Sequence, residues 1–76
     1  MKKRSVTLSG HRTSILLEPE CWEALERAAG ARGLSLAGLI AGVDADRVKN
    51  ESAGGLASAL RVFALKEASG ARREAD

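Results

Sequence analysis

Residues 12–40 open with Arg12-Thr13-Ser14-Ile15-Leu16-Leu17 and pass through Glu18-Pro19. Then come Trp22-x-x-Leu25-x-x-x-Ala29-x-x-x-Gly33 and Leu34-Ser35-x-x-x-Leu39-Ile40. The first six residues are rich in β-branched side chains and are closed by Pro19, which is the pattern of a short strand. Pro19 suits the first position of a helix, where its missing N–H costs nothing, and Glu20 and Glu23 suit the positive end of the helix dipole. Cys21, Trp22, Leu25, Ala28 and Ala29 recur at helical spacing and form one apolar stripe, opposite Glu20, Glu23, Arg27 and Ala31. Gly33 is placed to cap the C-terminus, with Arg32 in the last turn where a cation is favoured. Ser35 then serves as the N-cap of a second helix through Leu36, Leu39, Ile40 and Val43, ending near Asp46 or Val48.

That second helix is apolar on nearly all sides, since Ala37 and Ala41 add to its large residues. Such a helix must be buried around most of its circumference, and in a short chain part of the cover has to come from another subunit. Gly38 and Gly42 lie one turn apart, where a partner backbone could approach closely. The run without charge from Gly33 to Val43 is too short to span a bilayer.

Upstream, Ser5 to Ser9 alternates, with Val6 and Leu8 on one side and Ser5, Thr7 and Ser9 on the other, again a strand period. Two arrangements are open for residues 1–11: a second strand joined through Gly10 as a hairpin, or a loose basic arm. Downstream, 49–55 reads as a polar linker. Residues 56–68 read as a third amphipathic helix with Leu56, Leu60, Phe63 and Ala64 on one face, and 69–76 as a mobile tail lacking any apolar residue larger than Ala. The expected class is mostly α with a short β-strand, its central unit spanning 12–48.

The chain has 76 residues, a net charge of +2, one Trp, one Phe and no Tyr. One small domain is the most it can build, and so little bulky core material implies an obligate oligomer. The small net charge conceals a strong asymmetry. Residues 1–17 carry Lys2, Lys3, Arg4 and Arg12 without an acid, whereas 18–26 carry Glu18, Glu20, Glu23 and Glu26 without a base. Adjacent blocks of opposite sign suggest one face meant for an anion and another kept away from it.

Catalysis finds little support. His11 and Cys21 are the only residues of their kinds and lie ten apart, one in a turn region and the other on a helix stripe, so neither a Cys–His nucleophile nor a metal site is expected. No Gly-rich phosphate cradle joins a strand to a helix. A single cysteine forms no intrachain disulfide and points to a reducing compartment, the cytoplasm by default. The polar alternation after Met1-Lys2-Lys3-Arg4 lacks the apolar core of a signal peptide, so export is not expected. The expectation is a non-enzyme without cofactor or metal.

Taken in order, these elements resemble the ribbon-helix-helix family of bacterial DNA-binding proteins, the Arc, MetJ and CopG type. The match runs from about Arg12 through Val48, and Ser58-Ala59-Leu60-Arg61-Val62-Phe63 also looks like the ending of a small bacterial subgroup of such proteins. The resemblance implies a homodimer, singly or as a pair of dimers, in which one strand from each chain pairs into an intermolecular antiparallel ribbon. That ribbon lies in the major groove of double-stranded DNA. An extra C-terminal helix is appended here.

Strand parity then turns Thr13, Ile15 and Leu17 toward the helices and Arg12, Ser14 and Leu16 toward bases; a one-residue slip reverses every assignment. Arg12 can be bidentate to guanine, and Ser14 can pair with several bases. Leu16 departs from the family, which usually carries a polar residue there; it implies either a thymine-methyl contact or weak specificity.

The resemblance also implies a phosphate clamp at the start of the second helix, made here by the Ser35 hydroxyl and the N–H groups of Leu36 and Ala37, the same residue serving as an ordinary N-cap. Lys2, Lys3 and Arg4 would add nonspecific phosphate attraction from a flexible arm. The dimer core would comprise Ile15, Leu17, Trp22, Leu25, Leu39, Ile40 and Val43. Two functions of different class follow. One is a sequence-specific regulator, a repressor. The other is an antitoxin-like or adaptor module whose Leu60 and Phe63 bind a protein partner, unless the third helix packs on its own dimer.

Overall fold

The computed structural model describes residues 1–8, 10–49 and 54–75, with side chains described through Ser69. Two strands come first, β1 (Lys2–Leu8) and β2 (His11–Leu17), followed by helices α1 (Pro19–Ala31), α2 (Leu36–Lys49) and α3 (Leu56–Ala75). No helix among the described residues is long and apolar enough to cross a membrane.

Residues 1–11 resolve in favour of the strand. β1 pairs antiparallel with β2 of the same chain in an unbroken register from Lys2↔Leu17 to Leu8↔His11. The turn is possible because Gly10 adopts φ 80°, a conformation that side chains with a Cβ resist. Lys2, Lys3 and Arg4 therefore belong to a sheet and not to a flexible arm. Within this one chain, β2 has β1 as its strand neighbour.

Alternation sorts the hairpin into two faces. Arg4, Val6 and Leu8 of β1 and Thr13, Ile15 and Leu17 of β2 turn inward, and the residues between them are exposed. Ile15 and Leu17 join Trp22, Leu25, Ala28 and Ala29 of α1, Leu39 and Ile40 of α2, and Leu60 and Ala64 of α3 in one core. Burying each large apolar side chain contributes roughly 1.5–3 kcal/mol.

The junction from α1 to α2 is closed by backbone chemistry. Gly33 takes φ 67°, its N–H donates to the Gly30 carbonyl (3.2 Å), and the Leu34 N–H donates to the Ala29 carbonyl (2.9 Å). These are the two bonds of a Schellman cap, which satisfy carbonyls that the helix leaves without a partner. Arg32 adds a bond from its guanidinium to the Ala28 carbonyl.

α3 runs beyond its expected end. Residues 69–75, expected as part of a mobile tail, continue the helix through Ala75; Asp76 lies outside the described residues. Ala71, Arg72, Arg73, Glu74 and Ala75 are strong helix formers, and that propensity outweighs their lack of large apolar side chains. Of the expected linker, Lys49 is the last residue of α2, 50–53 lie outside the described residues, and Gly54 and Gly55 lead into α3.

Candidate nucleic-acid interface

The outward face of the hairpin is built from three cross-strand pairs, Lys3↔Leu16, Ser5↔Ser14 and Thr7↔Arg12. All six side chains are exposed. Residues opposite one another on a sheet face hold their Cβ atoms about 5 Å apart, so each pair acts as one contact unit. The face carries two cations and three hydroxyls, and neither strand contains an acid.

The acids sit elsewhere. Glu18, Glu20, Glu23 and Glu26 lie at the N-terminus and along the exposed side of α1, and two of them are neutralised in place. Arg4 pairs with Glu26 and Arg61 with Glu18, while Arg32 pairs with Glu67 across α1 and α3. The Arg61 hydrogen bond holds the Glu18 carboxyl below its ordinary pKa, and Arg32 does the same to Glu67. These arginines are bound to the body of the fold. Lys2, Lys3 and Arg12 are exposed and make no ion pair among the described residues.

Arg12, Ser14 and Leu16 thus share one exposed face, with Leu16 48% exposed although apolar. Lys2 and Lys3 are exposed as well, whereas Arg4 is half-buried, paired with Glu26 and stacked over the Trp22 ring. At the start of α2, Ser35 is exposed, and its Oγ accepts the Gly38 N–H at 3.0 Å. Leu36 and Ala37 are half-buried. Their N–H groups belong to the first turn, which has no intrahelical acceptor, and they point along the positive end of the helix dipole.

Of the residues expected in the dimer core, Ile15, Leu17, Trp22, Leu25, Leu39 and Ile40 are buried within one chain and Val43 is half-buried. α3 makes this possible by closing the core from inside the chain. Leu60, expected to face a protein partner, is fully buried there; Phe63 is half-buried under the Arg32 guanidinium, 5.4 Å from the ring centroid. Among the described residues, the large apolar side chains that α3 exposes are Val62 and Leu65. Within one chain α2, part of whose cover is expected from another subunit, leaves Ala41, Gly42, Ala45 and Val48 open.

Cys21 offers no reactive thiolate. Burial, and then the charge of Glu18, push its thiol above the ordinary pKa of 9.0, so it is protonated near neutrality.

The family model described as "Ribbon-helix-helix domain" matches residues 1–68. The chain belongs to the ribbon-helix-helix family. Neither a curated protein nor a solved structure matches it significantly. The family is one of DNA-binding transcription regulators, not of enzymes, and its members typically dimerise. The parity of β2 alone does not reach Ser5 and Thr7 of β1. Their signal is the alternation of residues 5–9, and Ser5 and Thr7 fall on the same face as Arg12 once the hairpin closes.

Proposed function

We propose that this ribbon-helix-helix protein is a sequence-specific regulator that binds double-stranded DNA as a homodimer, with the outward face of its hairpin in the major groove. The observation that carries the reading is that face itself: Arg12, Ser14 and Leu16 stand exposed in a row without an acid, while the alternate residues of β2 form the core. Arg12 offers a bidentate donor pair for the O6 and N7 of guanine, Ser14 a donor or acceptor, and Leu16 an apolar surface for a thymine methyl. Lys2 and Lys3 supply attraction to phosphate that is independent of sequence, and the first turn of α2, at Ser35, Leu36 and Ala37, receives one phosphate oxygen. Arg4 adds little, being tied to Glu26.

Support for a second copy comes from α2, where Ala41, Gly42, Ala45 and Val48 are exposed on one side, with Asp46 and Lys49 as the charges beside them. Occupying an operator with such a body excludes other proteins from the same DNA, which is repression. The deciding experiment is selection of duplexes from a random pool at near-physiological salt, repeated with Arg12→Ala. An enriched inverted repeat that fades in the variant is expected; no enrichment by a folded dimer rejects the reading.

A second reading, an antitoxin-like or adaptor module, draws on the exposed Val62 and Leu65 of α3, Leu65 lining a groove with Cys21, Ala24, Ala64 and Ala68 that is edged by the charged Glu18, Glu20, Arg27 and Arg61. Capture of a protein that protects this groove from hydrogen exchange would favour it.

A further inference from the structure

We infer that the groove between α1 and α3 seats a second copy of this chain, packed about a two-fold axis so that Glu20 of each copy faces Arg27 of the other. The inference is independent of the DNA-binding reading, and it concerns a face other than the open side of α2. The lining of the groove comes from α1, from α3 and from Glu18, which precedes α1.

Helix periodicity builds the groove. Glu20, Ala24 and Arg27 fall on one side of α1, and Ala64, Leu65 and Ala68 on one side of α3. The ion pairs Arg61 with Glu18 and Arg32 with Glu67 join early residues to early and late to late, so the two helices run in the same sense. Leu65 lines the groove and is nevertheless 68% exposed, apolar surface that a covering partner would remove from water.

Charge decides what covers it. Glu20 and Arg27 stand seven residues apart on α1, about 10.5 Å at the rise of a helix. Both are exposed, and neither makes an ion pair among the described residues. A helix laid antiparallel on this side of α1 must offer a cation over Glu20 with its later residues and an anion over Arg27 with its earlier ones. It therefore needs an acid first and a base seven residues later, which is the order in α1 itself. A second copy of α1 meets that demand unaltered.

The same rotation lays α3 on α3. The midpoint of Glu20 and Arg27 falls beside Ala24, and that of Arg61 and Ala68 falls beside Leu65, so the two Leu65 side chains meet near the axis. Arg61 stays neutralised by Glu18, and Glu23 does not line the groove. Exposed ion pairs contribute little affinity, so Glu20 and Arg27 fix the orientation while Leu65 and the apolar floor supply the attraction. A contact of this kind is self-complementary and closes at two copies.

The test follows the sedimenting mass of the full chain from micromolar to millimolar concentration. It compares the parent, Glu20→Lys, Arg27→Glu and an equimolar mixture of the two variants, with circular dichroism to confirm that each is folded. Each variant alone sets like charges face to face twice in a symmetric pair, and is expected to weaken association by about tenfold or more. In the mixture one chain offers two cations and the other two anions, and association is expected to return. A parent whose mass never exceeds that of the separate variants overturns the inference and leaves the groove to a different protein. A mixture that stays apart overturns it as well, because the two charges then do not face each other. Leu65→Ser, at an exposed position, should weaken the association of the parent without unfolding it; association unchanged by it places the contact elsewhere and overturns the inference.

Discussion

The Arg4 guanidinium lies 5.2 Å from the centroid of the Trp22 ring, and the same indole donates its Nε1–H to the Lys2 carbonyl. One side chain of α1 thus holds both the charge and the backbone of β1. Trp22→Phe keeps an aromatic ring while removing the donor, and is expected to lower stability by about 1–2 kcal/mol. Trp22→Ala, which also empties a core position, should cost roughly 3–5 kcal/mol and unfold the protein. Urea titrations followed by far-UV circular dichroism check both, and an unchanged midpoint for Trp22→Phe would show that the tie contributes nothing.

If the proposed function holds, base reading and phosphate attraction should separate by residue. Arg12→Ala should reduce preference for the cognate duplex by about 1–3 kcal/mol while leaving affinity for random DNA nearly intact. Neutralising Lys2 and Lys3 should weaken every duplex and flatten the dependence of log K on log salt by about one for each phosphate left without its lysine. Fluorescence anisotropy at several salt concentrations measures both effects. Identical losses on cognate and random DNA in all variants would deny the hairpin a reading role.

The Schellman cap makes two glycines respond with opposite sign. At Gly33, φ 67° puts any side chain in the left-handed region, so Gly33→Ala should destabilise by about 1–2 kcal/mol even though nothing lies within 4 Å of the added Cβ. Gly30 is helical, and an added Cβ there also meets nothing, so Gly30→Ala should stabilise by roughly 0.5–1 kcal/mol. Thermal unfolding distinguishes the two directly.

α3 belongs to the core through Leu60 and to the surface through Leu65. Leu60→Ala should cost about 2–5 kcal/mol, and Leu65→Ala should stay within about 0.5 kcal/mol of the parent. Amide exchange should find the α3 backbone around Leu60 protected in the protein alone. Free exchange there would return α3 to the role of a segment waiting for a partner.

Local signals made much of this legible. Pro19 and Gly33 mark the ends of α1 to within a residue or two, Ser35 caps α2 through Gly38, and the parity of β2 follows from Ile15 and Leu17 against Arg12, Ser14 and Leu16. What depended on distant pairing was not legible. The alternation of residues 5–9 says strand, yet nothing local says which strand lies beside it; that depends on contacts such as Arg4 with Trp22, eighteen residues away in sequence. The same holds for Leu60. Its helical stripe is plain, but an amphipathic stripe looks alike whether its cover comes from this chain or another.

Acid should loosen the outer ties first. The Glu67 and Glu18 carboxyls are held below their ordinary value of 4.5, chiefly by hydrogen bonds from Arg32 and Arg61. A carboxylate depressed on folding contributes stability that is full above the unfolded pKa and disappears as pH falls through the folded one. The urea midpoint should therefore fall as pH drops below about 4.5, and less steeply in Glu67→Gln. Both pairs are exposed, so the change is small and shrinks further in high salt.

The two-residue period of the hairpin has an evolutionary consequence. Core duties fall on the inward residues, so Lys3, Ser5, Thr7, Arg12, Ser14 and Leu16 are free of structural obligation to the interior. A library randomised at these six positions should yield mostly folded proteins. New recognition preferences can then arise by drift on an unaltered scaffold, and duplicated copies of such a gene can diverge in target without passing through unstable intermediates.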